Sequence, residues 1–279
     1  MYNEAIVVGT GKLAFGCAKM LIEKGINCAV FEYGKYSYSQ LSVLCNNEKI
    51  KYHSVDKFEI TEYLVNMKKP TLVISANNIY IFPKDVVNND NLFIINFHPA
   101  LLPKHPGRNA EAWSIYEGDV LTGITWHLVD EKIDHGKMIY QSSIPVEETT
   151  TSLQLMTRQF VVAANGFKEI VDNLINSNLT LMEYSKQDKI TMHYSKDIPN
   201  GGELDTKWSI DQISRFLRAM DYGRLNVLGR PYLIWNESKY IWDKYKIIDN
   251  DLGEKTNLQE GIICNDKKVI LLINLRKEV

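Results

Sequence analysis

Ala5-Ile-Val-Val8-Gly9-Thr10-Gly11-Lys12-Leu13-Ala14 opens the chain with four aliphatic residues running into two glycines; Leu13, Cys17, Leu21 and Ile22 then recur at helical spacing before Gly25 and a second apolar run, Cys28-Ala-Val-Phe31. Short continuous apolar runs bounded by turn residues read as strands buried on both faces, and apolar positions one helical turn apart read as a helix. The opening is therefore strand, glycine turn, helix, glycine stop, strand. Thr71-Leu-Val-Ile74 and Leu92-Phe-Ile-Ile95 are further strands, the second leading straight into polar Asn96 and His98. Strands separated by helical stretches imply a parallel sheet with covered faces. Gly123-Ile-Thr-Trp-His-Leu-Val129 and Met138-Ile-Tyr140 extend it with alternating faces. Leu153, Met156, Phe160, Ala163, Phe167, Ile170 and Leu174, following the Thr149-Thr-Thr151 cluster, form a long capped helix that closes this part of the chain.

From Asn176 to about Thr206 the periodicity fades and Ile198-Pro-Asn-Gly-Gly202 supplies turn residues. Ser209-Ile-Asp-Gln212 has capping-box spacing and opens a helix carrying Ile213, Phe216, Leu217 and Met220, expected to end at Gly223. Pro231 to Trp235, Tyr240 to Ile248, Gly261 to Cys264 and Val269 to Leu275 then read as short strands joined by turns such as Asn265-Asp266. The expected fold class is α/β: an N-terminal Rossmann-like, mostly parallel sheet with helices on both faces, plus a small β-rich C-terminal domain forming an antiparallel sheet or barrel. The expected domains are 1–176, a connector over 177–206, and 207–279.

The 279 residues, 45% hydrophobic and 24% charged, exclude a disordered or collagen-like chain. Aliphatic runs such as Val269 to Ile273 fall far short of the ~18 residues of a membrane span, and Met1-Tyr2-Asn3-Glu4 is no secretory leader, so a cytoplasmic protein with no membrane partner is expected. A net charge of -2 provides no footprint for a polyanion, so nucleic acid is not an expected partner. Cys17, Cys28, Cys45 and Cys264 show neither a C-x-x-C pair nor a zinc spacing; reduced thiols and no metal site are expected.

Two segments carry candidate chemistry. The turn Gly9-Thr-Gly11-Lys12, with Glu32 at the end of the second strand, has three readings: a dinucleotide site in which Glu32 takes ribose hydroxyls, a turn that binds a substrate phosphate, or turn geometry alone. The first would make the chain an NAD-dependent dehydrogenase. The second segment is Asn96-Phe-His98-Pro-Ala-Leu-Leu-Pro103-Lys-His-Pro-Gly107. At the end of a parallel strand, side chains at i and i+2 point to one side, towards the crevice where open α/β sheets bind ligands, so Asn96 and His98 converge. Val129-Asp-Glu-Lys-Ile-Asp134-His-Gly136 offers a carboxylate to orient His98.

These residues together resemble the tetrahydrofolate-dependent formyltransferases, which act on methionyl-tRNA, glycinamide ribonucleotide and nucleotide amino sugars. The family's Asn-x-His, Leu-Leu-Pro and Gly pattern is matched by Asn96, His98, Leu101-Leu-Pro103 and Gly107, and its Thr-Gly-x-Thr and Asp-x-Gly pattern by Thr122-Gly-Ile-Thr125 and Asp134-His-Gly136. Ser75-Ala-Asn-Asn-Ile-Tyr-Ile-Phe-Pro83 resembles its folate loop. The resemblance implies 10-formyltetrahydrofolate as formyl donor. It implies Asn96 and His98 as donors to the tetrahedral oxyanion and Asp134 as the group that orients His98 and accepts the amine proton. It implies further that Ile79, Ile81, Phe82 and Ile133 pack the pterin while main-chain groups of Tyr80, Phe82 and Asp130 pair with its polar edge. The glycine turn becomes a phosphate cradle, with Gly11 and Lys12 on the acceptor substrate. A homodimer is compatible with the resemblance.

For the acceptor, residues 201–279 hold 13 Lys+Arg against 12 Asp+Glu, close to neutral where a tRNA contact calls for a basic surface. Gly107-Arg108-Asn109-Ala-Glu-Ala-Trp113 offers groups for sugar hydroxyls and a pyrophosphate, with Arg108, Asn109 and Trp113 the expected contacts. A nucleotide-linked amino sugar ranks first, another small amine such as an amino acid or peptide-synthetase intermediate second, and methionyl-tRNA third.

Overall fold

The computed structural model describes residues 1–36, 38–184, 190–251, 253, 255–265 and 267–278. In chain order the regular elements are β1 (Glu4–Gly9), α1 (Gly11–Glu23), β2 (Asn27–Tyr33), α2 (Gln40–Asn47), β3 (Lys51–Val55), α3 (Lys57–Val65), β4 (Thr71–Ala76), α4 (Lys84–Val87), β5 (Leu92–His98), α5 (Ala110–Glu117), β6 (Leu121–Leu128), β7 (Met138–Pro145) and α6 (Ser152–Ile175). They continue with α7 (Ile210–Ala219), β8 (Leu233–Trp235), β9 (Ser238–Ile241), β10 (Lys244–Asp249), β11 (Ile262–Cys264), β12 (Lys268–Ile273) and β13 (Arg276–Lys277). Two compact units result. One comprises Met1–Gly107, Gly123–Ile144 and Arg158–Met192; the other comprises Arg108–Thr122, Pro145–Thr157 and His193–Val279. The continuous spans 1–176, 177–206 and 207–279 stay a proposal about domain order along the sequence. Both units are discontinuous, and part of the connector, residues 185–189, lies outside the described residues.

The first unit is built on a seven-stranded sheet of order β3-β2-β1-β4-β5-β6-β7. β1 to β5 pair in parallel and β6 runs antiparallel to β5. On one face Ile6, Val8, Ala29, Phe31, Val73 and Ile94 bury against Ile60 and Leu64 of α3 and Val86 of α4. α1 packs on β1, β2 and β4 through Leu13, Cys17 and Leu21, all at most 4% exposed. α6 docks by the Trp126 indole N–H on the Ala163 carbonyl (3.0 Å) and by Trp126 and Phe97 rings against Phe167 and Phe160. α3, not foreseen, is fixed by a capping box, Asp56 accepting from the Glu59 N–H at 2.9 Å and Glu59 from the Asp56 N–H at 2.8 Å.

The glycine turn has separate physical causes at its two glycines. Gly11, the first residue of α1, has φ 66°, the region that favours glycine. Gly9 is closed by its neighbour, since a Cβ there would lie 1.9 Å from the Ala76 carbonyl oxygen of β4. Gly9→Ala must separate β1 from β4 and is expected to cost about 1–3 kcal/mol, an overpacking penalty read by chemical denaturation. Wild-type stability would mean the strands can part freely there.

In the second unit α7 is opened by the Ser209–Gln212 capping box expected from the sequence. It ends at Ala219 with Met220 as cap, four residues before Gly223. The strand expected over Tyr240 to Ile248 is two strands, β9 and β10, and the β region is two three-stranded antiparallel sheets, β10-β12-β11 and β13-β9-β8. Of the Asn265-Asp266 turn, Asp266 lies outside the described residues. No helix among the described residues is long and apolar enough to cross a membrane.

Candidate active site

The site forms where β5 ends. Parallel pairing sets Ser75 of β4 beside Asn96, and antiparallel pairing sets His127 of β6 opposite Asn96 and Thr125 opposite His98. Paired residues project to the same face of a sheet, so register alone gathers Ser75, Asn96, His98, Thr125 and His127. The loop after β5 is then clamped down. Thr125 Oγ1 donates to the Ala100 carbonyl at 2.7 Å and accepts from the Leu102 N–H at 3.1 Å and from Gln141 Nε2 at 3.0 Å. Gln159 of α6 donates to the Pro99 and Gly123 carbonyls at 2.6 and 3.1 Å. Gly123 is required because a Cβ there would sit 2.1 Å from the Ser142 carbonyl oxygen.

Asp134 is brought in by the turn after β6. Its backbone is left-handed, φ 51°, and two residues on a Cβ on Gly136 would lie 2.1 Å from the Leu128 carbonyl oxygen, so the turn must pass flush against β6. The carboxylate, 8% exposed, takes the Gly107 N–H on Oδ2 at 2.7 Å and faces His98 Nδ1 at 3.2 Å and His127 Nε2 at 3.5 Å. Burial opposes its ionisation, yet the positive charge that the facing imidazoles carry when protonated, together with the Gly107 N–H, outweighs burial and holds its pKa at about 2.

The proton positions follow from the partners. His127 Nδ1 lies 2.7 Å from the Leu128 carbonyl, an acceptor, so Nδ1 carries the proton and Nε2 accepts from Asn96 Nδ2 at 3.1 Å. Asn96 Oδ1 in turn accepts from the Ser75 hydroxyl at 2.6 Å, which fixes the carboxamide orientation and leaves its second N–H on a long 3.5 Å contact to Asp134 Oδ1. His98 Nε2 is 2.8 Å from the His105 carbonyl and so donates to it. The neutral His98 ring then turns the Nδ1 lone pair towards Asp134, a geometry ready to take one proton. Burial pushes the His98 pKa down and Asp134 opposes that shift, so at neutral pH the vacant Nδ1 is the resting form.

Asn96, His98 and Asp134 are thus brought together, as the sequence suggested, but the His98 N–H expected to serve the oxyanion is spent on the His105 carbonyl, which leaves Asn96 as the donor and His98 with a free Nδ1 lone pair. His127 and Ser75 were missed; their roles rest on cross-strand register, and the only signal in sequence was a histidine inside a buried strand. Of the expected folate contacts, Ile79, Ile81 and Ile133 stand 50%, 61% and 44% exposed. Phe82 is half-buried, while the Tyr80 side chain is buried in the core with its hydroxyl on Thr61 at 2.8 Å. The Tyr80 N–H and carbonyl are both occupied by the Asn78 carboxamide (2.9 and 3.0 Å). Asp130 accepts from the Lys132 N–H at 2.9 Å and pairs with His135 at 2.7 Å. Lys12 is exposed on the first turn of α1, next to Gly11. Glu32, 3% exposed, accepts from the Ser39 hydroxyl and from the Tyr52 hydroxyl at 2.6 Å, so the carboxylate that a dinucleotide ribose would need is spent on the fold.

The remaining expected contacts belong to the second unit. Arg108 is exposed, its N–H on the His193 carbonyl at 2.8 Å; Asn109, φ 56°, precedes α5; and the Trp113 ring stacks on His193 with centroids 4.0 Å apart. Between them Glu111 is buried under the Tyr222 hydroxyl, 2.7 Å away.

The family of formyl transferases matches residues 22–171. GDP-perosamine N-formyltransferase of Brucella melitensis is 28% identical over 252 residues, 83% of this chain and 92% of that protein. Methionyl-tRNA formyltransferase of Bacillus subtilis is 30% identical over 192 residues, 66% of this chain and 59% of that protein. The fold is shared with an N-formyltransferase from Helicobacter canadensis solved in complex with folinic acid and dTDP-3-aminofucose, at a TM-score of 0.75 and 20% identity over 100% of both chains.

Proposed function

The chain belongs to the formyl transferase family, and from that membership we propose that it moves the formyl group of 10-formyltetrahydrofolate to the primary amine of a nucleotide-linked amino sugar. The observation that carries the reading is the Asp134 carboxylate held between His98, His127 and the Gly107 N–H, beside the half-buried Asn96 carboxamide. The folate fits the loops flanking this point: Ile79, Ile81 and Ile133 are aliphatic side chains left exposed after β4 and β6, suited to a flat ring. Because Asn78 occupies the main chain of Tyr80, the ring's polar edge is assigned to Phe82 and Asp130. When bound, the folate supplies the formyl carbon at which the amine attacks.

The chain's own residues divide the remaining work. Asn96, its orientation fixed by Ser75, gives up the long contact to Asp134 and donates that N–H to the oxygen gaining charge. His98, its Nδ1 covered by Asp134, receives the proton shed by the amine by way of that carboxylate, holds it, and returns it to the donor nitrogen as the bond between that nitrogen and the formyl carbon breaks. A carboxylate with a pKa of about 2 is a weak base at neutral pH, so Asp134 serves as the fixed counter-charge and the His98–Asp134 pair, in place of Asp134 alone, is the acceptor.

Support for a sugar acceptor comes from relatedness along almost the whole length of the Brucella perosamine enzyme and from the near-neutral charge of residues 201–279. Lys12 and Gly11 at the glycine turn, and separately Arg108, Asn109 and Trp113, are proposed contacts to the nucleotide sugar. We place the enzyme in the cytoplasm, consistent with buried Cys17, Cys28 and Cys45 thiols. The test is a panel of dTDP- and GDP-linked amino sugars, amino acids and methionyl-tRNA incubated with the folate donor, read by a mass gain of one CO. A sugar nucleotide is expected to react, and Lys12→Ala to raise its KM while leaving the KM of the folate unchanged, because a phosphate contact is made equally in ground and transition states. Formylation of methionyl-tRNA with a steep salt dependence, and none of the sugars, would overturn the sugar assignment.

A further inference from the structure

We infer that Tyr184 is a positioning residue for formyl transfer, holding the Asp134 turn through the Gly136 carbonyl and so keeping the carboxylate on His98 and Gly107. The inference rests on the function proposed above. After Gly136 the chain enters β7, and residues 182–184 lie alongside it. Met138 and Met182 exchange backbone hydrogen bonds in both directions, 2.9 and 2.8 Å. Lys137 and Glu183 form an ion pair at 2.9 Å, and the Tyr184 hydroxyl donates to the Gly136 carbonyl at 2.8 Å.

These contacts are unequal. Lys137 and Glu183 are 55% and 74% exposed, where an ion pair contributes little. The backbone bridge fixes Met138, two residues beyond the turn. The Tyr184 hydroxyl reaches the turn itself, at the residue whose missing Cβ lets the chain lie against Leu128. Its phenol stays a donor at any working pH, because burial and then the Asp134 and Asp130 carboxylates push its pKa up. The Asp134 backbone is left-handed, a conformation that a non-glycine residue keeps only when its surroundings impose it. Tyr184 supplies part of that constraint from outside the motifs that mark the family.

The experiment is a double-mutant cycle with Tyr184→Phe, which keeps the ring and removes the hydroxyl, and Asp134→Asn. In the wild-type background Tyr184→Phe is expected to lower kcat about tenfold with both KM values within about twofold, since the contact bears on a group used in the transition state. In the Asp134→Asn background the same change should cost less than about twofold, because the charge that Tyr184 positions is already gone. An equal loss in both backgrounds would assign Tyr184 a general structural role and overturn the inference, as would wild-type kcat in the single variant. If the wild-type protein forms no formylated sugar, or Asp134→Asn turns over normally, the proposed function fails first, and the two failures are told apart.

Discussion

His98→Ala is expected to lower kcat by roughly 100-fold to 10,000-fold, the range over which a positioned proton acceptor acts. The variant loses the ring that holds the amine proton, and alanine offers no replacement. Folate binding should survive, since Ile79, Ile81 and Ile133 are untouched. Stability should not. His98 is 2% exposed and donates to the His105 carbonyl, so its removal costs that buried hydrogen bond and leaves a cavity beside Asp134. A loss of about 1–3 kcal/mol is expected by chemical denaturation. Turnover within a few-fold of wild type would remove His98 from proton transfer.

Asp134→Asn should leave a shape-matched site without its counter-charge, with kcat again down by about 100-fold or more. The groups facing the His98 ring are Asp134, His127 and His105; of these Asp134 is the one that raises the His98 pKa by its charge. Without it the ring is harder to protonate, and the acid limb of kcat/KM should move to lower pH; an unmoved limb would place the proton acceptor elsewhere. Stability gives an independent check. The Asp134 pKa, about 2 folded against about 3.9 unfolded, is depressed, so its contribution is complete above the unfolded value and disappears as pH falls through the folded one. Between about pH 5 and pH 2 the wild type should lose about 2 kcal/mol that the variant, with no titrating group there, does not.

Much of this is readable in the sequence alone. The β1–α1–β2 opening is legible because buried parallel strands leave unbroken apolar runs and the glycines answer to local geometry. Asn96 and His98 are legible because two polar residues end such a run. β3 is hidden for the complementary reason: Lys51-Tyr-His-Ser-Val55 is an edge strand with only Val55 buried, so no apolar run marks it. β7 reads short, as Met138–Tyr140, because Gln141 and Ser142 interrupt the pattern, one to serve Thr125 and the other to lie against Gly123. His127, Ser75 and Tyr184 are partners chosen by register or by a returning segment, and nothing local distinguishes them. The protonation logic was also out of reach, because it needs the His105 and Leu128 carbonyls.

The interleaved path of the chain bears on recombination between relatives. The backbone leaves the first unit after Gly107, returns at Gly123, leaves again after Ile144, returns at Arg158 and leaves once more after Met192. A crossover in the segment 177–206, natural from sequence, would graft a foreign α7 and its sheets onto a native α5 and a native 145–157 stretch. It would split the Glu111–Tyr222 bond and the Ser152 hydroxyl bond to the Ala219 carbonyl between two parents. Chimeras should therefore fold only when residues 108–122 and 145–157 travel with the C-terminal portion, so that inheritance in this scaffold follows three blocks instead of one tail.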